Sequence, residues 1–72
     1  MPEQVLIFGK DSCPFTRAAR EAYAKMNREF DYFDVLRNPE KLADMLRFSG
    51  GRRKVPVIVE GESVTIGFQG KA

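Results

Sequence analysis

An apolar run, Val5-Leu6-Ile7-Phe8, is closed by Gly9, and a helix start at Pro14 follows within five residues. A second extended segment comes at residues 29–35. A strand, a helix and a strand in such close succession predict a parallel strand pair joined by a right-handed crossover, the hand in which a helix packs back onto a twisted sheet. The helix is read from Pro14 to about Arg28, because Phe15, Ala18, Ala19, Ala22, Tyr23 and Met26 recur at spacings of three and four and form one buried stripe. Phe30, Tyr32, Phe33 and Val35 stand between acids, which predicts a partly exposed second strand.

The second half repeats the pattern and then changes it. Asn38 followed by Pro39 is a helix N-cap with proline at the first helical position. Leu42, Met45 and Leu46 share one side of that helix, and Gly50-Gly51 ends it. Val55 to Val59 and Ser63 to Ile66 are β-rich segments joined by Gly61-Glu62, which predicts a hairpin on a type II′ turn. The order β-α-β-α-β-β gives an α/β fold: a mixed four-stranded sheet with helices packed on it. Residues 1–72 are read as a single domain, near the size at which one core only just offsets chain entropy.

Composition removes several functions. The chain has no histidine and one cysteine, which rules out a Cys-His hydrolase pair, a Cys/His zinc site and an internal disulfide. The single cysteine makes a reducing, cytoplasmic setting the expectation. A phosphatase-type cysteine loop needs an arginine six residues on to clamp phosphate, and that residue is Ala19. The net charge of +2 and the short Arg52-Arg53-Lys54 cluster, with no aromatics interleaved, give no ground for nucleic-acid binding. No stretch reaches the roughly 20 apolar residues of a membrane span, and with Met1-Pro2-Glu3-Gln4 before only a short apolar run no secretory leader is expected.

The lone cysteine occupies Lys10-Asp11-Ser12-Cys13-Pro14-Phe15-Thr16-Arg17, between the first strand and the first helix. Pro14 suits the first helical position, so Cys13 is read as the N-cap. Its sulfur then meets the unpaired N–H groups of Phe15 and Thr16 at the positive end of the helix dipole. Lys10 and Arg17 add positive charge. These influences favour thiolate, the reactive form, so Cys13 is assigned as a redox nucleophile. Thr16 either donates to that thiolate or satisfies a helix-start N–H. Phe15 is assigned to the core stripe, with the mouth of the site as the alternative, and Ser12 is an alternative N-cap.

The strand, Lys10-x-x-Cys13-Pro14-Phe15-Thr16, a helix, Val55-Pro56 before a later strand and Gly67 after the hairpin together resemble the glutaredoxin family and its thioredoxin-like fold. The resemblance implies that Cys13 attacks glutathione mixed disulfides, with Pro14 and Thr16 completing the catalytic motif. It implies that Pro56 is a cis-proline facing the cysteine and that Val55 offers its backbone to glutathione in the manner of an added strand. Lys10, Arg52 and Arg53 would hold the glycyl carboxylate, and Phe15 and Gly67 would line the pocket. Read without the family, Pro56 is an ordinary trans proline at a strand start, and Arg52-Arg53-Lys54 is a solvated loop.

Thr16 stands where dithiol members carry a second cysteine, so the resemblance implies a monothiol mechanism with glutathione as co-substrate and glutathionylated proteins or small disulfides as partners. Gly67-Phe68-Gln69-Gly70 departs from the family's Gly-Gly segment that holds the γ-glutamyl end. The chain also stops where the family usually begins a C-terminal helix, so one sheet face is expected to be covered by a homodimer or a swapped element. One rival reading is a [2Fe–2S] carrier, using Cys13 of two chains and two glutathiones as the four thiolates. Pro14 stands against it, since glycine commonly holds that place in such carriers. Another rival is a degenerate thioredoxin-like interaction domain. No other metal site is expected.

Overall fold

In the computed structural model, which describes residues 4–68, β1 (Val5–Gly9) pairs on one side with β2 (Phe30–Asp34) in parallel and on the other with β3 (Val57–Glu60) antiparallel. β3 turns back into β4 (Ser63–Ile66), so the sheet order is β2-β1-β3-β4. The crossover from β1 to β2 is α1 (Pro14–Lys25), and α2 (Pro39–Ser49) connects β2 to β3. This is the predicted order of elements.

Strand alternation sends the two apolar sets of β1 to opposite faces. Val5 and Ile7 join Ile58 beneath Ala19 and Tyr23 of α1. Phe8 joins Val57, Val59 and Val35 beneath Met45 of α2, with Leu6, Leu42 and Leu46 at the margin. Both helices are therefore held by short strands buried on both faces. On the α1 face the outer strand β4 carries Ser63 and Thr65, which are exposed and polar, because Thr65 pairs with Ile58 and Ser63 with Glu60. Phe68 packs against that same cluster. The α1 face thus ends in hydrophilic side chains at the β4 edge. Gln69 and Gly70 of the departing segment lie outside the described residues.

Five boundaries differ from the sequence reading, one of them the end of β3, which lies at Glu60 instead of Val59. α1 stops at Lys25 instead of about Arg28, because Asn27 takes a left-handed conformation (φ +55°) and closes the helix. The N–H groups of Asn27 and Arg28 return to the carbonyls of Ala24 and Tyr23, at 3.1 and 3.0 Å, a Schellman ending. Met26, assigned to the core by spacing, falls past the helix and is 57% exposed. β2 is shorter at both ends, and Val35 leaves the strand for the α2-side core. β3 begins at Val57, not Val55, because Pro56 has no N–H to donate to a ladder.

The hairpin matches expectation. Glu60 and Ser63 are its closing pair, and φ is positive at Gly61 (+56°) but not at Glu62.

Candidate active site

The carboxyl ends of β1 and β2 and the start of β3 meet at one end of the sheet. Phe8 pairs with Val57, so the register places Val55-Pro56 beside Gly9-Lys10, where the chain turns toward Cys13. The Cys13 N–H donates to the Lys10 carbonyl at 3.0 Å, which closes that turn. Cys13 is the N-cap of α1, extended at φ −83° and ψ 120°, with Pro14 at the first helical position. Its carbonyl accepts the Arg17 N–H at 3.1 Å, leaving the amides of Phe15 and Thr16 to face the cap side chain.

Thr16 is wholly buried, and its Oγ1 has no hydrogen-bond partner among the described residues. Gly9 makes room for it: a Cβ at that position would overlap the Thr16 side chain. As a neutral thiol, Cys13 closes no capping hydrogen bond. Ionisation changes what the site offers, because an unpartnered hydroxyl is free to turn toward the sulfur. Burial pushes the thiol pKa up, but the Thr16 hydroxyl, the Thr16 and Phe15 amides and the Lys10 ammonium outweigh it, and the pKa falls below the ordinary 9.0. Cys13 is 7% exposed and belongs to neither hydrophobic cluster. It is a buried thiol beside the Thr16 side chain and the first-turn amides.

The remaining assigned residues fall as follows. Pro14 is exposed and Lys10 half-buried. Phe15 is half-buried and joins neither core cluster, so the core assignment fails and the residue lies at the rim of the first helical turn. Pro56 is fully buried and the Val55–Pro56 bond is cis. Val55 packs at the edge of the α2-side cluster, and its N–H and C=O make no hydrogen bond among the described residues. Gly67, buried, donates its N–H to the Pro56 carbonyl at 2.6 Å. Arg52 and Arg53 are exposed in the loop after α2, whose path is fixed by the Ser49 hydroxyl donating to the Arg52 carbonyl at 2.8 Å. Among the described residues, Lys10, Arg52 and Arg53 form no ion pair.

A glutaredoxin family model matches residues 5–64. The chain belongs to the glutaredoxin family. This glutaredoxin superposes on a glutaredoxin from Archaeoglobus fulgidus with a TM-score of 0.83 at 23% identity, over 96% of this chain and 78% of that one, a likeness of fold. It is similar to the glutaredoxin-like NrdH-redoxin of Escherichia coli (TM-score 0.79, 29% identity, 92% of this chain and 84% of that one), described as having a thioredoxin-like activity profile. It is also similar to a glutaredoxin from Brucella melitensis (TM-score 0.71, 30% identity, 92% of this chain and 71% of that one). No curated relative matches the chain. Family and fold together support a thiol–disulfide oxidoreductase role for this glutaredoxin.

Sequence reasoning missed the group that ties the cysteine loop down. Asp34, at the end of β2, accepts the Asp11 N–H at 3.1 Å on one oxygen. On its other oxygen it accepts the N–H groups of Leu36 and Arg37, at 2.9 and 3.3 Å. The Tyr32 hydroxyl donates to the Asp11 carboxylate at 2.7 Å. The available signal was an acid at the carboxyl end of a strand parallel to β1, where it can reach the neighbouring loop.

Proposed function

We propose that this glutaredoxin reduces glutathione mixed disulfides by a monothiol mechanism through Cys13. The observation that carries the reading is the cap itself: a thiol with lowered pKa beside a buried hydroxyl that has no hydrogen-bond partner among the described residues. In the first step the Cys13 thiolate attacks the glutathionyl sulfur of a mixed disulfide. A Cys13–glutathione disulfide forms and the substrate leaves as thiolate, which takes a proton. A second glutathione thiolate then attacks the bound glutathionyl sulfur, releasing oxidised glutathione and restoring the Cys13 thiolate. Glutathione supplies both electrons that the substrate gains.

Binding of the glutathionyl group is supported by chemistry around the thiol. The free N–H and C=O of Val55 suit main-chain pairing with the cysteinyl residue of glutathione. Lys10, Arg52 and Arg53 offer cationic donors to its glycyl carboxylate. A thioredoxin-like activity, as described for NrdH-redoxin, is the weaker reading. Direct reduction of a protein disulfide needs a second thiol to release the mixed disulfide, and this chain has one cysteine.

The test is incubation with a glutathionylated peptide, with mass spectrometry of the protein and spectrophotometry of released glutathione disulfide. The reading expects Cys13 to gain one glutathionyl group and turnover to require added glutathione. An unmodified Cys13 alongside an unreacted peptide contradicts it.

A further inference from the structure

We propose that Asp34 is a positioning residue for Cys13, acting through the Asp11 backbone. The distance in sequence between them is large, but the parallel pairing of Gly9 with Asp34 sets the end of β2 beside the loop that leaves β1. That loop, Lys10 to Cys13, has few other restraints. Asp11 and Ser12 are exposed, and neither takes part in a strand or helix. Among the described residues its backbone is fixed by the Cys13 N–H on the Lys10 carbonyl and the Asp11 N–H on the Asp34 carboxylate. The second of these comes from outside the loop, on a rigid element.

Asp34 is itself held. Its other oxygen closes the turn after β2 through Leu36 and Arg37, and the Gly9 carbonyl accepts the Val35 N–H at 2.8 Å. The carboxylate is thus a three-amide bridge between two loops, and three amide donors favour its ionised form. Its pKa is lowered: burial opposes ionisation, while the amides of Asp11, Leu36 and Arg37 and the Arg37 charge outweigh it. Around Asp11 the charged and titratable neighbours are Tyr32, whose hydroxyl it accepts, Arg20 at 3.8 Å and Arg37 at 3.7 Å. Arg20 also lies 4.0 Å above the Tyr32 ring, so the same residues brace the loop from α1 and from β2. A loop fixed in this way holds Cys13 over the first-turn amides and sets how strongly they favour thiolate. The thiol chemistry therefore depends on a carboxylate that does not touch the sulfur.

The inference rests on Cys13 being the reactive thiol. Asp34→Asn keeps size and shape but replaces one accepting oxygen with an NH2 group, which cannot accept the amide it faces. The experiment measures the pH dependence of Cys13 alkylation by iodoacetamide, together with hydrogen exchange at the Asp11 amide, on the full chain. In the wild type the Asp11 amide is protected. In D34N its exchange is faster by roughly tenfold, the factor carried by one net hydrogen bond. The thiol midpoint rises, so that alkylation at pH 7 slows by about threefold. Asp44→Asn, the same charge change on α2, alters neither quantity. If D34N does not fold, Asp34→Glu, which keeps the charge but displaces the accepting oxygens, carries the same test, with a smaller upward shift expected. An unprotected Asp11 amide in the wild type overturns the inference, as does a thiol midpoint unmoved or lowered in the variant. A wild-type thiol with an ordinary midpoint would instead sink the reading of Cys13 on which it rests.

Discussion

The two helices of this glutaredoxin begin with the same local recipe and end with different chemistry. Each has proline at its first position, an extended N-cap, and no side-chain capping bond: Cys13-Pro14 for α1 and Asn38-Pro39 for α2. At α2 the N-cap is exposed and the first turn carries Glu40, a built-in anion for the positive end of the helix. At α1 the first turn has no acid, and the N-cap is covered. The anion missing from α1 is the one that Cys13 forms when it ionises. A helix start lowers the pKa of a capping thiol by leaving its dipole uncompensated and placing beside the sulfur a buried hydroxyl with no partner among the described residues.

The largest break of that comparison is Cys13→Ser. A serine caps a helix well, so stability should hold or rise, while turnover of a glutathionylated peptide falls to background. Calorimetry with the peptide assay checks both halves. Gly9→Ala comes next, because its Cβ would overlap Thr16. Overpacking of this kind costs about 1–3 kcal/mol, read as a lower urea midpoint, and the displaced hydroxyl should also raise the Cys13 midpoint. Thr16→Val separates the two effects. It removes a buried hydroxyl without a partner, so the fold should be unchanged or firmer, yet thiolate loses a donor and alkylation at pH 7 slows by up to about tenfold. An unaltered alkylation profile in that variant would mean the hydroxyl plays no part.

A smaller effect comes from acid. Asp34 has a folded pKa below its ordinary 3.8, so its contribution to stability is complete above that value and lost as pH falls through the folded one. Urea unfolding below about pH 4 should therefore show a slope that Asp34→Asn flattens. At the far helix start, Glu40→Gln should cost only about 0.3–1 kcal/mol and leave the Cys13 alkylation profile untouched. If it shifted that profile, the two helix starts would not be independent.

Much of this was legible in the sequence because local signals and burial agreed. An unbroken apolar run placed β1, helical spacing placed α2, β-rich segments around a glycine-first loop placed the hairpin, and proline-marked N-caps placed both helix starts within a residue. The failures came where a single residue outweighed the pattern. Asn27 in a left-handed conformation ended α1 before Met26 could join the stripe that its spacing predicts. Pro56 shifted the start of β3. At the site, Cys13 and Thr16 could be picked out because motif and helix cap coincide. The Asp34 bridge could not, since it depends on which strand lies beside β1 and on a backbone amide that carries no signature of its own.

The central claim is that the amide-rich start of α1 and the Thr16 hydroxyl hold Cys13 as thiolate despite its burial, and the rate of Cys13 alkylation against pH tests it most directly. A titration midpoint clearly below the ordinary thiol value of 9.0 is the predicted result. A midpoint at or above that value, or a thiol that reacts only after unfolding, would contradict it.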